Sequence, residues 1–302
     1  RLQVHDFDAS GNIQLYFDLN ETVFPAPIRD SVPGHFLSLL DAFIANRSQA
    51  INAIPLLTQT KQEELTVQFN QQQSFDFNYQ SIIQLFERQV AQKANATVLQ
   101  FGQQKISYQV LNEKANQLAR HLQAHGVQAR DRVALHLTRS PELLMSILAA
   151  FKLGATYIPI PSNYPSGRVK EILEDAEAKI LLSTNVLKPN LSDVQTPILL
   201  LDDHSVWASL ASNNLDHTPQ ADQLAYIMYT SGSTGKPKGV MINHRSLSHY
   251  IQWASQKYAA FGAPAVPLFS SIGFDLTVTS LFFPLVSGGS TVIYEEVLGV
   301  KI

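Results

Sequence analysis

The 302-residue sequence predicts an α/β fold in which largely parallel strands are flanked by helices, and three observations lead to this prediction. From Ser81 onwards, short apolar runs typical of buried strands alternate with longer segments of helical periodicity. Residues 141–153 carry clear helix signals, with Ser140 as N-cap and Gly154 as the stop. A loop rich in glycine, hydroxyl and lysine side chains follows one apolar run, where ligands usually bind in such sheets.

The remaining elements of this region follow from the same patterns. Apolar residues at helical spacing predict two further helices, at 81–92 and 108–124. Short apolar runs predict strands at 132–137, 156–160, 179–183, 197–201, 224–229 and 291–294.

The first 80 residues have a different pattern. Residues 2–7 and 13–19 alternate apolar and polar side chains around a Ser-Gly-Asn turn, which predicts a β-hairpin. Helical spacing of apolar residues begins after Pro33 and Gly34. A polar stretch with three successive glutamines then interrupts the periodicity. We therefore expect a short α+β segment at 1–65, a linker at 66–80 and the α/β region at 81–302.

Composition excludes several classes of protein. A net charge of −3 provides no basic surface for nucleic acid or anionic membrane, so neither is expected as a partner. No apolar run approaches the roughly 20 residues of a membrane span. The absence of cysteine excludes disulfides, cysteine nucleophiles and cysteine zinc sites, and fits the cytoplasmic location that we expect.

Residues 229–240 form the loop after the strand at 224–229, and they predict a phosphate site. Glycines let backbone N–H groups approach an anion, hydroxyls add donors and lysines add positive charge. The P-loop of kinases is excluded, because Gly232 and Gly235 are too close and Pro237 replaces the hydroxyl that would bind magnesium. The simplest alternative is a glycine-rich turn with exposed lysines.

Residue for residue, this loop resembles the signature loop of the adenylate-forming enzymes, which include acyl-CoA ligases, luciferases and the adenylation domains of nonribosomal peptide synthetases. Other stretches resemble the synthetase domain specifically: 106–119, with Val110 departing from the usual Glu; 153–165, with Gly167 departing likewise; and the pair Phe274-Asp275 with 276–289 behind it. Residues 37–57 resemble the tail of a condensation domain.

The resemblance implies an internal piece of a peptide synthetase: a condensation-domain remnant at 1–65, the linker, and the N-terminal part of an adenylation domain at 81–302. Its activity would be ATP-dependent ligation, in which an amino acid and ATP give an aminoacyl-adenylate and pyrophosphate. The acyl group would then pass to the phosphopantetheine arm of a peptidyl carrier domain, and a condensation domain would be the neighbour. ATP and Mg²⁺ are the implied cofactors.

The family's motifs assign roles to individual residues. The ATP phosphates would be bound by the signature loop, with Thr230 and Lys238 as the catalytic candidates; its members are Thr230, Ser231, Gly232, Ser233, Thr234, Gly235 and Lys238. Asp275 would bind the substrate's α-ammonium, and Leu276 and Thr279 would line the side-chain pocket. This Asp-Leu-Thr combination resembles pockets for aspartate or asparagine.

Three alternatives stay open at this stage. Asp275 is also a favoured helix N-cap, and a helix could begin there. An acyl- or aryl-CoA ligase would share the phosphate loop, but its substrate has no amine and needs no buried carboxylate at Asp275. A non-catalytic nucleotide-binding or interface remnant is the third. The family's later motifs would lie beyond Ile302, so we expect this chain alone to be poorly active.

Overall fold

The computed structural model describes residues 1–6, 11–48, 50–69, 75–231, 237–258, 260 and 262–296. The chain divides into two compact units, Arg1–Phe75 and Asp76–Ile302. The division falls inside the predicted linker. Over the described residues, no helix combines the length and apolar character needed to span a bilayer.

The first unit begins with the predicted hairpin, formed by β1 (Leu2–His5) and β2 (Gln14–Phe17) in antiparallel register. Helix α1 (Ala26–Ala45) follows and starts earlier than the sequence predicted, so that Pro33 lies inside it. Pro27 in its first turn explains the early start, because the fixed φ of proline suits a helix N-terminus. Helix α2 (Gln59–Glu63) continues into a π-helical turn at Glu64–Gln68.

The second unit contains a six-stranded and a four-stranded sheet in its described part. The larger sheet has the strand order β10-β9-β6-β5-β7-β8. Its strands are β5 (Arg132–Leu135), β6 (Thr156–Pro159), β7 (Ile180–Ser183), β8 (Ile198–Leu200), β9 (Leu224–Ser231) and β10 (Pro237–Asn243). All neighbours pair in parallel except β9 and β10, which are antiparallel. The predicted α/β class is confirmed, and β10 is a strand that the sequence analysis missed.

The smaller sheet has the order β11-β12-β3-β4. Its strands are β3 (Thr97–Phe101), β4 (Gln104–Ser107), β11 (Ala265–Leu268) and β12 (Ser290–Ile293). Strands β3 and β4 form an antiparallel hairpin, whereas β12 runs parallel to both of its neighbours. Of these four strands, the sequence analysis predicted only the last.

Helices cover the two sheets, and side-chain caps fix several of their starts. Ser81, Ser107 and Ser140 each accept a hydrogen bond from the backbone N–H three residues later, as N-caps do. The helices of this unit are α3 (Ile82–Lys93), α4 (Tyr108–Ala124), α5 (Pro141–Lys152), α6 (Ser166–Asp175), α7 (Ser205–Ala208), α8 (His244–Lys257) and α9 (Leu276–Ser287). The predicted helices α3, α4 and α5 are therefore confirmed.

Helices α8 and α9 position the candidate site. Helix α8 begins directly after β10, whereas α9 lies between β11 and β12 in the chain and packs against α8. Gly288 ends α9 with a φ of 76°, in the left-handed region that favours glycine. Residues at the start of α9 line one cavity together with residues of β9 and β10.

Candidate active site

The predicted phosphate loop lies at the tip of the hairpin formed by β9 and β10. Thr230 and Lys238 are register partners at the base of this tip, and both side chains are exposed. Register partners in an antiparallel pair project to the same face, so the side chains of Thr230 and Lys238 lie on one face of the hairpin. Gly232, Ser233, Thr234 and Gly235 lie outside the described residues, and Ser231 is described in its backbone alone.

The hairpin is anchored at its base by two close contacts. The phenol of Tyr229 donates a hydrogen bond of 2.6 Å to Oδ2 of Asp175 in α6. Burial, followed by this carboxylate, raises the pKa of Tyr229. Gly239 lies opposite Tyr229, and a Cβ there would lie 2.8 Å from Cγ2 of Ile227 and 3.1 Å from the Tyr229 ring. Only glycine lets the two strands approach this closely.

A cavity of about 440 Å³ lies between α8, the start of α9 and the strands β9 and β10. It brings together all three predicted substrate residues, Asp275, Leu276 and Thr279. The rest of its lining consists of Tyr226, Ile242, Ser246, Leu247, Tyr250 and Val278. The cavity is therefore largely apolar, with one carboxylate and a few hydroxyls, a composition typical of small-molecule sites.

Strand β9 places the cavity and the phosphate loop on one face of the sheet. Tyr226 lines the cavity and Thr230 lies at the base of the loop, four residues further along the strand. Side chains separated by an even number of residues share a face, and four residues of strand span about 13 Å. A ligand extended along this face can contact both places.

Asp275 occupies the N-cap position of α9, yet its side chain makes no capping hydrogen bond to the described backbone. Its φ and ψ of −63° and −23° are already helical, whereas a capping residue usually has extended backbone angles. The capping alternative for Asp275 is therefore wrong. The expectation of a buried carboxylate is also wrong, because the described structure leaves Asp275 exposed at the cavity.

Tyr226 contributes a neutral phenol to the cavity. Burial first, and then the negative charge of Asp275, raise its pKa to about 12. The phenol therefore keeps its proton at neutral pH. It can donate a hydrogen bond beside the carboxylate without adding a second negative charge.

Tyr250 is a cavity residue that the sequence analysis missed. Its phenol oxygen lies 2.6 Å from Oγ1 of Thr279, so a hydrogen bond joins α8 to α9 across the cavity. Tyr250 is one of several polar residues on an amphipathic helix, and its position in the sequence carries no signal that distinguishes it from them.

The family model for AMP-binding enzymes matches residues 86–299, which is most of the chain. The chain belongs to the AMP-binding enzyme family. The match includes the hairpin of the phosphate loop and the whole lining of the cavity.

Curated relatives of this AMP-binding chain include two much longer synthases. It is 39% identical over 285 residues to bacitracin synthase 3 of Bacillus licheniformis, covering 94% of the chain and 4% of that protein. It is 33% identical over 286 residues to tyrocidine synthase 3 of Brevibacillus parabrevis, covering 95% of the chain and 4% of that protein. The chain therefore spans only a small part of the relatives that it matches.

Solved structures agree with the fold. The nonribosomal peptide synthetase FmoA3 matches 99% of the chain and 32% of its own chain, with a TM-score of 0.82 at 22% identity. The N-terminal subdomain of Klebsiella oxytoca NpsA matches 74% of the chain and 57% of its own, with a TM-score of 0.64 at 27% identity. These matches confirm an α/β fold like that of synthetase adenylation domains.

Proposed function

We propose that this chain forms the ATP and amino-acid site of an amino-acid-adenylating ligase within a nonribosomal peptide synthetase. The observation that carries the proposal is the uncapped carboxylate of Asp275 at a cavity of amino-acid size. A carboxylate that makes no cap can form a charge-assisted hydrogen bond to an ammonium group. An acyl-CoA ligase has no amine for this carboxylate to bind.

ATP would bind along the face that joins the cavity to the phosphate loop. The backbone N–H groups and hydroxyls of residues 230–235 would surround the β- and γ-phosphates, and Lys238 would offset part of their negative charge. Magnesium supplies further charge neutralisation and is commonly held by the substrate's phosphates together with one or two carboxylates. The hairpin fits this role because Thr230 and Lys238 are adjacent on one face.

The chemistry follows from this placement. An oxygen of the substrate's carboxylate attacks the α-phosphorus and forms a new P–O bond. The bond from that phosphorus to the bridging oxygen breaks, and pyrophosphate leaves with the electron pair. Asp275 holds the amine away from the phosphorus, so the reacting carboxylate is oriented toward it. Charge on the leaving pyrophosphate is stabilised by Lys238 and the loop.

The surrounding assembly belongs to the same proposal. Residues 1–65 would be the end of a condensation domain, and a carrier domain would receive the acyl group on its phosphopantetheine arm. The relatives support this context, since both are named as synthases, and one solved relative is an artificially fused adenylation–PCP di-domain of a nonribosomal peptide synthetase. Aspartate or asparagine is the substrate proposed from Leu276 and Thr279.

The test is amino-acid-dependent ATP–pyrophosphate exchange by the full-length protein, with the twenty amino acids and with fatty and aryl acids. We expect exchange with one amino acid or a few related ones. Asp275→Ala should lower kcat/KM for that amino acid by at least about tenfold, because charge-assisted hydrogen bonds contribute roughly 1.5–3 kcal/mol. The exposed Asp193 is a matched control, and Asp193→Ala should leave the exchange unchanged.

The outcomes separate the alternatives. Exchange that depends on acids lacking an amine would move the protein to the acyl-CoA ligases. A folded protein that exchanges with no acid would support a non-catalytic remnant. Equal exchange by Asp275→Ala and the native protein would remove the proposed role of this carboxylate.

A further inference from the structure

The bonded hydroxyls of Tyr250 and Thr279 give the cavity a hydrogen-bond donor, which the carboxylate of Asp275 and the apolar Leu276 do not provide. Both hydroxyls line the cavity, and the bond of 2.6 Å between them joins the two helices that form its walls. Two hydroxyls carry two protons, and their mutual bond uses one of them. The second proton is available to a ligand.

We propose that Tyr250 is a specificity-determining residue, and that its hydroxyl pair with Thr279 recognises a short substrate side chain that carries a hydrogen-bond acceptor. A carboxamide is the simplest group of this kind. The inference rests on the proposed function, since it takes the amino acid to be the ligand of this cavity.

The spacing along α9 supports a short side chain. Thr279 follows Asp275 by four residues, so both lie on the same face of the helix, about 6 Å apart along its axis. A substrate whose amine binds Asp275 therefore extends its side chain along one helical turn to reach the hydroxyl pair. Asparagine has about this reach, whereas longer side chains must fold back or displace Tyr250.

The aromatic contact of Tyr250 supports a fixed position for its hydroxyl. Its ring stacks on Trp253, with ring centroids 6.2 Å apart and planes inclined by 24°. A tyrosine held between an indole and a threonine hydroxyl loses little further freedom when a ligand binds. The hydroxyl pair is thus a preorganised part of the cavity wall.

The experiment measures kcat/KM in ATP–pyrophosphate exchange for asparagine, aspartate, glutamine and leucine. It compares the native protein with Tyr250→Phe, Thr279→Val and the double variant. We expect the native protein to prefer asparagine over leucine, a side chain of similar size that accepts no hydrogen bond. Tyr250→Phe should reduce that preference by about fivefold to tenfold, in line with one lost hydrogen bond. Tyr294→Phe is the control, because Tyr294 is outside this cavity lining.

The double variant tests whether the two hydroxyls act as a pair. The proposal predicts that its loss of preference hardly exceeds the larger single loss, because removing either hydroxyl breaks the pair. Additive losses, or an unchanged preference in Tyr250→Phe, would overturn it. If the native protein exchanges with an amino acid but does not prefer asparagine, this inference fails and the proposed function stands. If the folded native protein exchanges with no amino acid, both fail.

Discussion

His244, the first residue of α8, is buried with neither ring nitrogen hydrogen bonded to any described group. Its ring makes an edge contact with Phe151, with centroids 4.7 Å apart. Burial, followed by the charge of His217, lowers the pKa of His244 from 6.5 to about 4. The structure therefore places this imidazole in the core.

A pH dependence of stability follows from this burial. Between pH 6.5 and about pH 4 the unfolded chain protonates this imidazole while the folded chain does not, so the free energy of unfolding falls as the pH is lowered. The loss from this residue alone amounts to about 3 kcal/mol at the low end. Urea unfolding at pH 7 and pH 5 should therefore show a smaller decrease for His244→Phe than for the native protein. Equal decreases would contradict this account.

At the scale of elements, sequence patterns predicted only part of the hairpin formed by β9 and β10. The run of glycine, hydroxyl and lysine predicted a phosphate loop, and strand β9 was predicted before it. Strand β10 was missed because its first residues belong to the loop motif, and because its apolar residues Val240 and Met241 face solvent. Tyr250 was missed for another reason: its bond to Thr279 depends on how α8 and α9 pack, which the periodicity of one helix does not contain.

Gly239 allows a prediction about this hairpin. In Gly239→Ala the new Cβ meets Ile227 and the Tyr229 ring, so the strands must move apart. We expect a loss of about 1–3 kcal/mol in the free energy of unfolding and a higher KM for ATP, because the loop is held at the wrong spacing. Both are measurable, by urea unfolding and by exchange kinetics.

Gly167 provides the matched control for this variant. It lies in α6, and a Cβ added there would meet no atom within 4 Å beyond its own chain neighbours and helix backbone. Gly167→Ala should stabilise the protein by up to about 1 kcal/mol, because alanine favours a helix. A Gly239→Ala variant as stable as the native protein would show that the strands tolerate the extra carbon.

At the scale of the second unit, the two sheets are joined through helix packing. Phe151 of α5, a helix of the larger sheet, stacks on Phe282 of α9, which connects strands of the smaller one, with centroids 5.7 Å apart. Sequence patterns predicted α3, α4, α5 and six of the strands of this unit, but not this arrangement. Which apolar faces meet is decided by side-chain fit between elements far apart in the chain. The start of α9, and Asp275 with it, is positioned by that packing.

A buried ion pair connects helices α3 and α5. The ammonium group of Lys152, in α5, bonds to the carboxylate of Glu87, in α3. The lysine is 1% exposed and the glutamate 25% exposed. Burial lowers the pKa of Lys152, and the Glu87 carboxylate opposes that shift. Burial of the Lys152 ammonium therefore has a desolvation cost, and the attraction of the Glu87 carboxylate offsets part of it.

Replacing one partner of this ion pair should lower the free energy of unfolding more than replacing both partners with apolar side chains. In Glu87→Gln the buried ammonium loses its counter-charge, and we expect a loss of about 3–5 kcal/mol in the free energy of unfolding. The double variant Glu87→Leu with Lys152→Met places apolar side chains of similar size in the same space and should stay close to the native stability. Urea unfolding of both proteins checks this. If the double variant were less stable than Glu87→Gln, the pair itself would be a net source of stability between α3 and α5.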